Sequence, residues 1–230
     1  QLRPEPRMKT TTPPPSGQIP QLLSGRPGSD PISEIKNWCL ERADEWFEQN
    51  QPAFACQFLQ HALGLDPNDV TIWIALGSVH FTSGNLDQAL LAFTQADELR
   101  PNDAAIQLHL AVVQQHRENW SQAEFHFRRS LELYPDNVQA LRLYSGLLMA
   151  HGRNAESREI LEQALSLDLD DVDLFLRLGV CCFRMNELNA AQACFKRALQ
   201  LDPNNELAAA NLNAVAALQT SPADSTPVIC

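Results

Sequence analysis

The residues of this chain that most often carry chemistry are six histidines and six cysteines. The histidines stand at positions 61, 80, 109, 116, 126 and 151, and none belongs to a His-Glu-x-x-His zinc motif. No serine or cysteine lies in the Gly-rich strand-to-helix turn that exposes a nucleophile. We therefore predict that the chain is not an enzyme and that it has no catalytic residues.

The vicinal pair Cys181 and Cys182 has two interpretations. It could form a redox switch or supply soft-metal ligands, but no second Cys-x-x-Cys motif or nearby histidine completes a tetrahedral site. Five of the six cysteines fall within helical periodicity, which favours reduced thiols packed between helices. We predict no metal site and no cofactor, and a reducing compartment.

The charge of the chain excludes several classes of partner. It has 28 acidic and 17 basic residues, a net charge of -11, and so would be repelled by nucleic-acid phosphates and by anionic membranes. No apolar run is long enough to span a bilayer, and the N-terminus lacks a secretory signal. We predict a cytoplasmic protein that binds neither nucleic acid nor membrane. Because residue 1 is Gln, we expect the chain to be a processed product or an excerpt of a longer protein.

Both ends of the chain differ in composition from its centre. Residues 1–35 hold 8 of the 15 prolines and few residues able to build a core, which predicts a disordered N-terminal arm. This arm is either a tether or a docking segment, through its proline cluster or the stretch IPQLL. Residues 220–230 are polar and predict a second disordered tail.

The centre of the chain is an internal repeat. The octets ALGLDPND and ALQLDPNN are 136 residues apart, which is four times 34, the period of a repeat of two helices. Five repeats run without insertion or deletion over residues 36–69, 70–103, 104–137, 138–171 and 172–205. The segment that follows them, residues 206–219, is predicted to form a single amphipathic helix that covers the open end of the stack, so the complete array spans residues 36–219.

Equivalent places of the repeats, numbered from the first residue of each, carry equivalent side-chain sizes. Places eight, twenty and twenty-seven are small, which lets two helices cross closely, and place twenty-four is large. Place fifteen mostly carries Gly or Asn and predicts the turn within a repeat, while a proline at place thirty-two stops the second helix. The small residues are Ala43, Gly77, Ala111, Ser145 and Gly179; Ala55, Ala89, Ala123, Ser157 and Ala191; Ala62, Ala96, Ser130, Ala164 and Ala198.

The stretch WIALGSVHFTSGNLDQALLAFTQADELRP, from Trp73 to Pro101, resembles a tetratricopeptide repeat. It carries that family's signature residues, Trp73, Leu76, Gly77, Ala89, Phe93, Ala96 and Pro101. The resemblance covers residues 36–205 and implies an all-α fold, a right-handed superhelical solenoid of antiparallel helix pairs. It also implies a concave groove that binds proteins, without catalysis. Repeat four departs most, with Ser145, Ser157 and Leu169 at usual Gly, Ala and Pro places.

In the family, places two, five, nine and twelve of each first helix line the concave surface. A merely solvated face would be polar, so apolar residues here indicate either a partner site or packing between adjacent first helices. Both interpretations stay open. The apolar residues at these places are Leu40, Phe47, Ile74, Phe81, Leu108, Val112, Met149, Leu176, Val180 and Phe183.

Four basic or titratable side chains accompany this apolar set, namely His116, Arg142, Arg177 and Arg184. They could hold a carboxylate of a ligand, or they could be isolated charges that reach into solvent.

The leading hypothesis is a non-catalytic scaffold or adaptor that binds a peptide or helix of another protein in an apolar concave groove. The alternative is a substrate-selecting segment of a larger enzyme, such as a glycosyltransferase, methyltransferase or peptidase. Self-association through the groove or the ends of the array is a third possibility.

Overall fold

The structure, a computed structural model, describes residues 31–167 and 170–220. All regular elements in these ranges are α-helices, so the predicted all-α fold of helix pairs is confirmed. Of the segments predicted to be disordered, 1–35 and 220–230, residues 1–30 and 221–230 lie outside the described residues, whereas 31–35 and 220 belong to helices. The helices are α1 (Pro31–Glu48), α2 (Pro52–Leu65), α3 (Val70–Thr82), α4 (Leu86–Leu99), α5 (Ala104–His116), α6 (Trp120–Leu133), α7 (Val138–Ala150), α8 (Asn154–Leu167), α9 (Val172–Arg184), α10 (Leu188–Leu201) and α11 (Glu206–Thr220).

The helices belong to two compact units. In the N-terminal unit, α1 pairs with α2, α3 pairs with α4, and α2 packs against α3. In the C-terminal unit, α5, α7 and α9 pair with α6, α8 and α10, and α11 packs against α10. Helix α1 begins at Pro31, five residues before the predicted start of the array. Proline suits the first turn of a helix, and Ile35 packs against the core of this unit.

The small residues at the three predicted places are all buried, because they mark where the two helices of each repeat cross. At place eight, the glycines leave room for an aromatic ring from the partner helix. A Cβ atom added to Gly77 would lie 2.7 Å from Phe93, and one added to Gly179 would lie 2.5 Å from Phe195. Phe93 and Phe195 are almost completely buried. Helix separation is therefore set by the absence of a side chain.

The turn within each repeat is a left-handed residue at place fifteen. The φ angles are 58° at Asn50, 76° at Gly84, 60° at Glu118, 74° at Gly152 and 62° at Asn186. This conformation closes the first helix and redirects the chain into the second. Glu118 adopts it without the freedom of Gly or the local polarity of Asn.

A capping side chain precedes each of the helices α3, α5, α7, α9 and α11, and these caps were not among the predicted features. Place thirty-four carries Asp69, Asp103, Asn137, Asp171 and Asn205, and each side chain accepts a hydrogen bond from a backbone amide two or three residues later. The recurring turns DPND, RPND, YPDN and DPNN therefore stop one helix and start the next. The signal was in the sequence, since Asp and Asn are preferred N-caps.

Helix α11 packs against α10 through part of its surface. Ala208, Asn211 and Val215 are buried and Leu212 packs against the core, whereas Leu207 is 49% exposed.

We expect Gly179→Ala to destabilise the protein by about 1–2 kcal/mol, because the overlap with Phe195 outweighs the helix propensity of Ala. Gly64→Ala is the matched control, since Gly64 is exposed in α2 and an added Cβ meets no atom within 4 Å. It should stabilise the protein by about 0.5–1 kcal/mol. Urea unfolding followed by circular dichroism measures both. Equal effects of the two substitutions would contradict the close helix crossing.

Candidate protein-binding face

Three first helices of the C-terminal unit, α5, α7 and α9, lie side by side. Their second helices α6, α8 and α10 pair with them through the core places, so places five, nine and twelve lie away from the partner helices. We call the partly accessible apolar residues at these places the first-helix face. It consists of Val112, Met149, Val180 and Phe183, all half-buried.

The four residues of the first-helix face rest on a packed core. Met149, Val180 and Phe183 contact one cluster of buried residues, and Val112 contacts the adjoining cluster. Their inner atoms are fixed by packing while their outer atoms remain accessible. A surface of this kind is preorganised, so binding would cost little side-chain entropy.

Two predicted groove residues, Leu108 and Leu176, are buried, with 8% of each side chain exposed. They belong to the hydrophobic clusters of the C-terminal unit. Their burial favours the second of the two interpretations, packing between first helices, because place five lies where adjacent first helices approach each other. They support the face from below.

Arg142 forms ion pairs within the protein, which neither of the two interpretations of this residue anticipated. Its guanidinium donates to Asp171, the N-cap of α9, and its Nε lies 3.6 Å from Asp173 Oδ2. Arg177 Nε donates to the same Asp173 oxygen at 2.7 Å. The basic groups at this end of the face are therefore matched by carboxylates, and they tie α7 to the start of α9.

The opposite end of the first-helix face carries the exposed side chains of His116 and Arg184, at the C-terminal ends of α5 and α9. Arg184 Nη1 donates to the backbone carbonyl of Met149 at 3.0 Å. This bond orients the guanidinium across the end of α7 and leaves further donors directed elsewhere, because guanidinium has five N–H groups. This end of the face therefore retains positive charge.

The N-terminal unit contains four of the predicted groove residues. Leu40, Ile74 and Phe81 are half-buried, and Phe47 is 39% exposed. Leu40 packs against the core of this unit. The corresponding places of α1 and α3 are thus apolar and partly accessible in this unit as well.

A lysine clamps the start of α3 as Arg142 clamps the start of α9. Lys36 Nζ donates to Asp69 Oδ2 at 2.8 Å and to Asp66 Oδ2 at 3.0 Å. Burial alone would raise the pKa of Asp69, but the hydrogen bonds from Lys36 and Thr71 outweigh it and lower this pKa from 3.8 to about 2. The hydrogen bond to Asp69, followed by that to Asp66, raises the pKa of Lys36.

The cysteines within the described residues are buried or half-buried free thiols. Cys181 and Cys182 are buried in α9, and burial raises the pKa of both thiols. Burial, together with the neighbouring Cys182, raises the pKa of Cys194 to about 12. Cys56 Sγ lies 4.0 Å from the ring nitrogens of His80, whose pKa is lowered by burial, so this contact does not generate a thiolate.

Within residues 31–167 and 170–220, no group of three or more His, Cys, Asp and Glu side chains is arranged to bind a metal ion. None of the helices described is both long and apolar enough to cross a membrane.

Comparisons with known proteins agree with this architecture. A family model described as the cytochrome c-type biogenesis protein H TPR domain matches residues 33–167, and a tetratricopeptide repeat model matches residues 148–218. The successive helix pairs and their recurring small residues define an α-helical repeat protein. The chain belongs to the tetratricopeptide repeat family.

Solved structures show the same fold at low sequence identity. MamA has a TM-score of 0.66 at 17% identity, with 74% of this chain and 93% of MamA covered. PilF of Pseudomonas aeruginosa has a TM-score of 0.71 at 15% identity, with 83% and 86% covered. YrrB, a TPR protein with an unusual peptide-binding site, has a TM-score of 0.64 at 19% identity, with 79% and 97% covered.

A curated relative is much longer. The CTR9 homolog of Arabidopsis thaliana is 25% identical over 160 residues, which are 69% of this chain. The chain spans 12% of the length of that relative.

The clamp on Asp69 predicts an acid-dependent loss of stability. A lowered pKa in the folded state gives stability that is present above pH 4 and lost as the pH falls towards 2. Asp69→Asn, which keeps an N-cap but loses the charge, should cost about 1–2 kcal/mol at pH 7 and nothing near pH 2. Urea unfolding across this pH range measures the difference.

The Lys36→Met background is the control for this titration. In that background, Asp69→Asn should have a much smaller and flatter effect, because the cation that lowers the Asp69 pKa is gone. A cost of Asp69→Asn that is the same at pH 7 and pH 2 would show that the ion pair does not contribute.

Proposed function

We propose that the first-helix face of the C-terminal unit binds an apolar peptide or helix from another protein. The family supports a protein-interaction scaffold in general, and the particular face is our assignment. The observation that carries it is the set of four half-buried apolar side chains on three adjacent helices, Val112, Met149, Val180 and Phe183. Contiguous apolar surface of this kind typically marks an interaction site in a soluble domain.

The electrostatics of the face suggest the polarity of its ligand. Near the start of α9, Asp171 and Asp173 already pair with Arg142 and Arg177. The other end carries the exposed His116 and Arg184. A partner segment would therefore place apolar side chains on the centre of the face and an acidic group, or a terminal carboxylate, at the His116 and Arg184 end.

The mode of action requires no chemistry from the chain. A helix or an extended peptide would bury its apolar side chains against Val180 and Phe183, while the packed core beneath keeps these residues in place. YrrB supports this proposal as a protein of similar fold with a peptide-binding site. The alternative of an enzyme segment that selects substrates has no specific observation in its favour.

In the N-terminal unit, Leu40, Phe47, Ile74 and Phe81 remain proposed as contact residues. Phe47 is the most accessible of these aromatic side chains. Aromatic anchors commonly supply a large share of interface energy, so this unit would provide a separate contact surface.

Peptide selection on the full chain tests the proposed face. Peptides of twelve random residues are displayed on phage, selected on the immobilised protein, synthesised and measured by fluorescence anisotropy. We expect apolar sequences with an acidic residue, and we expect Phe183→Ala to weaken their binding at least about fivefold, as for loss of an aromatic contact worth more than 1 kcal/mol. Val180→Glu should weaken it further.

Phe125→Ala is the matched control, because Phe125 is 59% exposed on α6, away from the first-helix face. It should leave peptide affinity unchanged, and thermal melting shows whether each variant is folded. Selected peptides that bind wild type, Phe183→Ala and Val180→Glu equally well would refute the proposed face. If Phe183→Ala and Val180→Glu lose binding only because they are unfolded, then Phe183 and Val180 are core residues and not contact residues.

A further inference from the structure

The C-terminal unit has a second concave feature on the other side of α7. A pocket of about 410 Å³ lies between α6 and α8. Tyr144 and Leu148 of α7 form its floor, and Leu131, Pro135 and Ile160 add apolar walls. From the geometry we propose that this pocket binds an arginine or lysine side chain presented by a segment of a partner protein.

The pocket is separate from the first-helix face. Along a helix with 100° per residue, Tyr144 and Leu148 lie on the side of α7 opposite Arg142 and Met149. The remaining pocket residues come from the second helices α6 and α8 and the turn at Pro135. A ligand in the pocket and a ligand on the first-helix face would therefore approach the unit from different sides.

Helix α7 packs less closely against α6 than α9 packs against α8, and the pocket lies beside this looser junction. Tyr144 occupies place seven, where the neighbouring repeats carry Leu110 and Leu178. Its ring stacks on Phe127 with centroids 5.7 Å apart. Its hydroxyl accepts a hydrogen bond from Arg128 Nε at 2.9 Å and donates one to Glu124 Oε1 at 3.1 Å. These contacts fix the tyrosine as a rigid part of the floor.

A network of ion pairs borders the pocket at Arg128 and Glu156. Arg153 Nη1 donates to Glu124 on α6 at 2.6 Å, and its Nη2 donates to Glu156 on α8 at 2.6 Å. Arg128 Nη2 lies 2.7 Å from Glu124 Oε1. The two second helices are thus bridged at a fixed distance, and the positive charge of Arg128 at the pocket is balanced by a carboxylate.

The rim of the pocket has an excess of carboxylates. Glu132, Glu156 and Glu159 line it, against the single cation Arg128. Glu132 pairs with Arg129 at 2.9 Å and Glu156 with Arg153, but Glu159 has no hydrogen-bond or ion-pair partner among the described residues. Glu159 is exposed at the mouth of the pocket, so its oxygens are available to a ligand.

An apolar floor below an unpaired carboxylate fits a long cationic side chain. The aliphatic stem would lie on Leu131, Leu148 and Ile160, and the charged head would reach Glu159. The chain's net charge of -11 favours a basic partner segment and disfavours an acidic one. Gln163 Nε2 donates to the Pro135 carbonyl at 3.2 Å, which links α8 to the turn beside the pocket.

The test uses the full chain, labelled with ¹⁵N, and an acetylated, amidated peptide Ala-Leu-Arg-Leu-Ala. The same peptide with citrulline in place of arginine keeps the shape and removes the charge. We expect the arginine peptide to give saturable amide shifts at Glu132, Glu159 and Gln163, and the citrulline peptide to bind about threefold to tenfold more weakly. Glu159→Gln should lower the affinity for the arginine peptide by the same factor.

Glu162→Gln is the matched control, because Glu162 lies on the same helix, pairs with Arg158 at 2.7 Å and does not line the pocket. It should leave the affinity unchanged. Val180→Glu, which disrupts the first-helix face, should also leave it unchanged, so the pocket and the proposed function can fail independently.

Three results would overturn the assignment. The first is the lack of saturable shifts at the pocket, or shifts confined to α5 and α9. The second is equal affinity for the arginine and citrulline peptides, or equal loss in Glu159→Gln and Glu162→Gln. The third is concentration-dependent self-association of the wild-type chain that Glu159→Gln abolishes, because a second copy would then be the occupant.

Discussion

The close crossing of two helices within each repeat is the constraint on which the rest of the structure depends. Where Gly77 and Gly179 lack a side chain, the rings of Phe93 and Phe195 approach the helix backbone to a distance that no Cβ atom would permit. Because the packed interior has little free volume, this approach sets the position of both helices. Places that tolerate only small residues recur every 34 residues, so each helix pair has nearly the same internal geometry.

This crossing also determines which side chains remain available for binding. The core places of a first helix point to its partner helix, so the opposite places form the first-helix face. In the C-terminal unit, Leu108 and Leu176 at place five are buried by contacts between neighbouring first helices. Places nine and twelve, with Val112, Val180 and Phe183, keep part of their surface accessible. Packing and exposure thus alternate along the same helix.

Sequence could predict the crossings and the turns because each requires a property of one residue, either small size or tolerance of a positive φ. It could not decide whether Leu108 and Leu176 are buried or accessible, because that depends on the distance between helices from different repeats. The partner of Arg142 had a weaker signal. Lys36 and Arg142 stand at places one and five of repeats that both end in aspartate, Asp69 and Asp171, and both basic groups clamp that N-cap. Such pairs become visible only when the repeats are aligned by charge as well as by size.

The pocket beside Tyr144 follows from a local departure from the repeat. Place seven is leucine in the neighbouring repeats, and a leucine would leave no hydroxyl to bind Arg128 and Glu124. The tyrosine brings a polar group into the junction between α6 and α7, and the charged network with Arg153 then spans from α6 to α8. A core constrained by small residues can accept this change, because the crossing places of α7 and α8, Ser145 and Ser157, remain small and completely buried. The repeat geometry is therefore kept at the crossing, while the outer junction gains the hydrogen bonds of Tyr144 with Arg128 and Glu124.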